Sequence, residues 1–174
     1  MATDTQGEIV NKVKQSEKLV TIDLQEYFDS TPRTELDLKQ FLFKGMILKE
    51  DDFREQLENF DWSQFEGQYV GVYCSTDAII SKWAYMLVGQ HLATHAKEVF
   101  KGKVDDMLYE LYRRNLKELN WSSYQDKFVI LKGCSSKEKP VPEGVYLYAT
   151  QQLLPYVKKL MYGEACSNVP VYRG

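Results

Sequence analysis

Three cysteines stand in the 174-residue chain, and each precedes a serine: Cys74-Ser75, Cys134-Ser135 and Cys166-Ser167. The thiolate is both a strong nucleophile and a soft metal ligand, and a neighbouring hydroxyl can donate a hydrogen bond to it. Three convergent thiolates suit tetrahedral zinc or an iron–sulfur cluster, with the fourth position left to water, a partner or another side chain. Asp77, three residues beyond Cys74, is the nearest candidate for that position. On this reading Cys74, Cys134, Cys166 and Asp77 are the metal ligands. Ser75, Ser135 and Ser167 hold the cofactor through hydrogen bonds to sulfur.

No C-x-x-C pair is present, so two other readings stay open. In one, a thiol accepts persulfide, and Cys134 is the best placed because Lys132, Lys137 and Lys139 flank it. In the other, the cysteines are small apolar residues at strand ends and the tyrosine-rich chain is a protein-interaction module. No residue is assigned a catalytic role. His91 and His95 stand four apart on one expected helix, but H-x-x-x-H without a glutamate is a weak metal signal. Glu50, Asp51 and Asp52 fit the N-terminal dipole of a helix better than acid–base chemistry. The chain has no Gly-rich phosphate loop, nucleophile elbow or dinucleotide fingerprint.

The elements that must position these cysteines follow from hydrophobic period and turn residues. "LVTIDLQEYF" (19–28) and "TELDLKQFLF" (34–43) alternate as strands, and the turn residues Asp29 to Pro32 between them predict that they pair. "ILKEDDFREQLENFDW" reads as a helix with Phe53, Leu57 and Phe60 on one face. "QYVGVYC" (68–74) is a short apolar strand, and a helix is expected from about Ala78 to Phe100. "VDDMLYELYRRNLKEL" (104–119) is a second amphipathic helix and "KFVILKGC" (127–134) another apolar strand. Pro142 opens a helix expected to run to about Met161 and to stop at Gly163. This order predicts an α/β fold: a mixed sheet with a parallel pair of central strands flanked by helices, and an internal strand–helix repeat.

The repeat is visible in "WSQFEGQYVGVYCST" (62–76) and "WSSYQDKFVILKGCSS" (121–136), where the second copy carries one extra residue, Gly133. The repeat units span about 61–100 and 120–161, within a single domain of residues 1–174 that begins with a partly flexible segment, 1–18. Groups that do chemistry gather at the carboxyl ends of parallel strands. Cys74 and Cys134 are therefore expected to end adjacent strands with their sulfurs within about 8 Å. Cys166 is expected to join them through the tail after Gly163.

A net charge of −3 argues against broad nucleic-acid binding, and no apolar run is long enough to span a bilayer. The polar N-terminal segment is unlike a signal peptide, and a reducing cytoplasm is the expected compartment. At "YCSTDAIISKWAYM", "VILKGCSS" and "GEACSNVPVY" the chain resembles a family of small uncharacterised proteins of Bacteroidetes. The resemblance covers nearly the whole chain. It implies a place beside iron–sulfur cluster assembly genes, and hence metal, cluster or sulfur handling with iron–sulfur assembly proteins as partners.

Overall fold

The computed structural model describes residues 18–133 and 136–174. In chain order the elements are β1 (Leu19–Ile22), β2 (Arg33–Asp37), α1 (Glu50–Glu58), β3 (Tyr69–Tyr73), α2 (Lys82–Leu92), β4 (Glu98–Lys101), α3 (Val104–Lys117), β5 (Phe128–Lys132), α4 (Glu143–Leu153), β6 (Lys159–Glu164) and β7 (Ser167–Arg173). The fold is mixed α/β, with parallel strands flanked by helices.

Two compact units account for these elements. A split unit consists of the chain up to Phe28 together with Leu111–Gly174, and Asp29–Glu110 form an inserted unit. The inserted unit holds the sheet β2-β3-β4, parallel throughout. The split unit holds β1-β5-β6-β7, in which only β7 runs antiparallel. Central β3 and β5 are runs of β-branched and apolar residues that bury nearly every position, as a strand covered on both faces must. Each returns to a parallel neighbour through a helix, α2 or α4, because parallel pairing requires a crossover.

The two units follow one plan. A four-residue 3-10 turn opens each central strand, Trp62–Phe65 before β3 and Trp121–Tyr124 before β5, with both indoles buried. Two residues before each of these strands φ is positive, at Gly67 (+68°) and Asp126 (+61°), types that tolerate the left-handed region. Their N–H groups donate to equivalent carbonyls, Gly67 to His95 at 2.9 Å and Asp126 to Tyr156 at 2.8 Å. Helices α2 and α4 have eleven residues each and bury matching faces, Ala84, Val88 and Leu92 in one, Val145, Ala149 and Leu153 in the other. The first strands match too. Asp23 after β1 and Asp37 at the end of β2 each cap a 3-10 turn, accepting the N–H two residues on at 3.0 Å.

Three expectations are corrected. β1 and β2 do not pair with each other; β1 lies beside β5 and β2 beside β3. The segments after α2 and α4, expected to be helical to Phe100 and Met161, turn back as strands β4 and β6. Because β3 is already flanked by β2 and β4, and β5 by β1 and β6, the two central strands are not neighbours. Beyond the Cys166 turn the tail forms the last strand, β7.

Candidate functional site

Cys74 directly follows β3 and is half buried, its Sγ 3.3 Å from the Thr76 hydroxyl. The Ser75 N–H donates to Asp37 Oδ1 at 3.0 Å, and the same oxygen takes the Lys39 N–H. Burial works to raise the Asp37 pKa, but hydrogen bonds from Ser75 and Lys39 and the Lys39 charge outweigh it and hold the carboxyl below the usual aspartate range. Tyr85, on α2, is pushed up by burial and then by the negative charge of a Cys74 thiolate, which places the phenol and the sulfur in one electrostatic neighbourhood. The Ser75 and Asp77 side chains point to solvent as exposed residues.

In the split unit, Cys134 and Ser135 lie outside the described residues. The chain on either side is well tied. Gly133 donates its N–H to Gly163 O at 3.3 Å and accepts the Tyr162 hydroxyl on its carbonyl at 3.1 Å. The Tyr146 hydroxyl donates to Lys132 O at 3.0 Å, while Lys132 Nζ reaches Asp23 Oδ2 at 2.7 Å. Gln25 Nε2 donates to Ser136 Oγ (3.1 Å) and Lys139 O (2.7 Å), pinning the far side of the loop. In both units, then, the aspartate after the first strand reaches the exit of the central strand: Asp37 meets Ser75 and Asp23 meets Lys132.

Cys166 is exposed in the two-residue turn that joins β6 to β7, and Ser167 begins the antiparallel pairing opposite Glu164. β5 and β6 are parallel, with Lys132 opposite Gly163. The Cys166 turn is therefore at the carboxyl end of the same sheet, the end at which the chain leaves β5 towards residue 134. Strand β6 supplies the return path that a long helix could not. Cys74 belongs to the inserted unit, at the end of a different sheet. Among the described residues, no three of His, Cys, Asp and Glu are grouped so as to hold a metal ion.

The histidines have separate surroundings. α2 stops at Leu92; His91 stacks on Trp62 with ring centroids 4.9 Å apart, and His95, beyond the helix, faces the Glu66 carboxylate at 3.1 Å. Glu50, Asp51 and Asp52 occupy the first turn of α1, as the dipole reading expects.

A hollow of about 470 Å³ opens in the split unit, lined by Leu131, Gly133, Glu143, Tyr146, Thr150 and Tyr162 among others. It lies at the carboxyl end of β5, the usual place for a ligand in a parallel sheet. Sequence reasoning missed it, along with Asp23 and Asp37. Only the aspartates had a signal, the shared apolar-Asp-Leu step in "TIDLQ" and "ELDLK". Among the described residues no helix is long and apolar enough to cross a membrane.

These features define a duplicated α/β protein whose conspicuous polar and sulfur groups sit where parallel strands end. The chain belongs to the family described as "Protein of unknown function (DUF2480)", whose profile matches residues 7–174. No curated protein and no solved structure gives a match.

Proposed function

We propose that the protein is a thiol-handling accessory protein, in which Cys74 and Cys134 act as two separate sulfur stations. The observation that carries this reading is the duplicated architecture: in each unit a Cys-Ser pair leaves the central parallel strand, directly at Cys74 and one residue later at Cys134. In the step envisaged, a cysteine thiolate attacks the outer sulfur of a donor persulfide. A new S–S bond forms, the donor leaves as thiolate, and the protein holds a persulfide with no net redox change.

The proposal includes a reducing bacterial cytoplasm and partners among iron–sulfur assembly proteins, both drawn from the resemblance to the Bacteroidetes family. Zinc or an iron–sulfur cluster on Cys74, Cys134, Cys166 and Asp77 is the second reading. What favours it is the carboxyl-end turn that carries Cys166 to the end of β5's own sheet.

Alkylation kinetics separate these ideas. Under anaerobic conditions a sulfur station reacts fast near neutral pH at Cys74 or Cys134, with metal far below one equivalent per chain by elemental analysis. A metal ligand is protected until chelator is added. Uniformly slow alkylation of all three thiols, with and without chelator, sinks both readings and leaves an interaction module with inert cysteines.

A further inference from the structure

We propose that an apolar face of the inserted unit is the contact between two copies of this chain, a two-fold dimer in which Asp77 of each copy meets Lys82 of the other. Every large apolar side chain left exposed in that unit comes from two short segments: Phe43, Met46 and Ile47 from one, Ile79 and Met86 from the other. Scattered exposed apolar residues are ordinary, but these are contiguous. Met46, Ile47 and Leu48 line one open groove together with Ala78, Ile79 and Trp83. Met86 lies one turn beyond Trp83 on α2. Ile79 is 91% exposed, Met86 74%, Met46 59% and Ile47 53%. They amount to several hundred Å² of apolar surface, the size that marks an interaction site.

The display is built into the backbone. Phe43 and Ile47 exchange two hydrogen bonds, at 2.9 and 3.1 Å, and the turn between them holds Lys44 at φ +52° and Gly45 at φ +70°. A lysine in the left-handed region is uncommon, so the chain accepts an unfavourable conformation to keep Met46 and Ile47 outward. Among the described residues the exposed methionines are Met46 and Met86, both on this face, and methionine adapts its shape to whatever packs on it.

The charges around the groove name the occupant. Lys44 is in the turn, Lys49 and Lys82 adjoin Leu48 and Trp83 in the chain, and the Arg54 guanidinium lies 5.6 Å from the Trp83 ring centroid. Against these four cations stand four carboxylates, Glu50, Asp51, Asp52 and Asp77. Arg54 is held by Glu50 at 2.8 Å, and Lys49 is 3.9 Å from Asp52 with its ammonium over the Phe43 ring. Asp51 faces the N-terminal dipole of α1. Asp77 and Lys82, one of each sign, have no hydrogen bond, ion pair or ring contact. A face of one sign would fit an oppositely charged protein or an anionic membrane. A balanced face fits itself, because across a two-fold axis residue i meets residue j and j meets i.

Sedimentation velocity on the full chain tests this, with reductant and chelator present so that neither a disulfide nor a shared metal can join two copies. At about 100 µM the mass should be twice the 20.3 kDa of one chain, with a dissociation constant on the order of 10 µM. Ile79→Ser should weaken association about tenfold or more while the unfolding temperature stays at the parent value, since the side chain is nearly all exposed. Asp77→Lys and Lys82→Asp each set like charges against one another twice across the axis, and each should weaken association about tenfold. Mixing these two single variants should restore it as a mixed pair. A single-chain mass up to about 500 µM, fifty times that dissociation constant, would overturn the proposal. So would open-ended assemblies, an Ile79→Ser variant that associates like the parent, or a mixture no tighter than its components. No cysteine takes part, so the outcome is independent of the thiol reading.

Discussion

Asp37 shows how much a single carboxylate can organise. It caps the 3-10 turn Leu38–Phe41 through the Lys39 N–H, and through the Ser75 N–H it fixes the peptide that follows Cys74. Asp37→Ala should therefore cost about 1–2 kcal/mol, read as a lowered urea midpoint at pH 7. The pH dependence has a definite sign. The folded-state pKa lies below the unfolded value of 3.8, so the stabilisation is complete above about pH 4 and is lost as pH falls through the folded pKa. The variant should show a flatter loss of stability in that acid window than the parent, and identical acid profiles would refute the assignment. The same residue explains what was legible. Its apolar-Asp-Leu setting recurs at Asp23, but alternation in "LVTIDLQEYF" favours a longer strand. Only the hydrogen bond that the Asp23 carboxylate accepts from the Gln25 N–H reveals that the chain tightens into a 3-10 turn after Ile22.

At the scale of elements, two glycines decide how the returning strands end. Gly102 follows β4 at φ +130° and Gly163 sits in β6 at φ +126°, at equivalent places in the two units. Added as a Cβ, a methyl at Gly163 would meet the Ser167 carbonyl oxygen at 2.5 Å, which is backbone of the β6–β7 pairing. At Gly102 it would meet the Asp106 carboxylate at 2.6 Å, a side chain with some freedom to move. Both alanine variants are strained, but Gly163→Ala should cost more, about 2–4 kcal/mol against about 1–2 kcal/mol for Gly102→Ala. Chemical denaturation of both variants checks the order, and a larger loss at Gly102 would contradict it. Strands β4 and β6 themselves were not legible. Each follows a helix after a short step, Thr94–Lys97 or Pro155–Lys158, and runs of four to six residues have no period that separates strand from helix. The central strands were legible because their β-branched runs are bounded by a Trp-led turn on one side and Cys-Ser on the other.

For the whole molecule, the connectivity is the governing fact: one unit is continuous and the other is closed only by a strand from the beginning of the chain. Removing the chain through Phe28 takes away β1, the edge strand beside β5, and leaves β2, β3 and β4 with every pairing they have. In that truncated protein, hydrogen exchange should lose protection in β5 and β6 while β3 keeps it. Equal loss in both sheets would show that the units do not hold their sheets independently. The α/β class and the parallel central strands could be read from residue patterns. The partition into two sheets could not, because it depends on which distant strand a run of four residues such as Leu19–Ile22 chooses.

That choice has a consequence for how the protein is made. Leu19 faces Phe128, 109 positions later in the chain, whereas Arg33 faces Tyr69 within the inserted unit. At the ribosome's pace of about 5–20 residues per second, β1 waits roughly 5–20 s for the strand it will join. Its N–H and C=O groups and the side chain of Ile22, buried in the finished fold, have no sheet to join in the meantime. The inserted unit's strands are all synthesised during that interval, so the order of folding during synthesis is inserted unit first, split unit last. A nascent chain of this protein spends its most aggregation-prone seconds with its first strand in search of a partner, and the factors that bind emerging chains are the ones its yield should depend on.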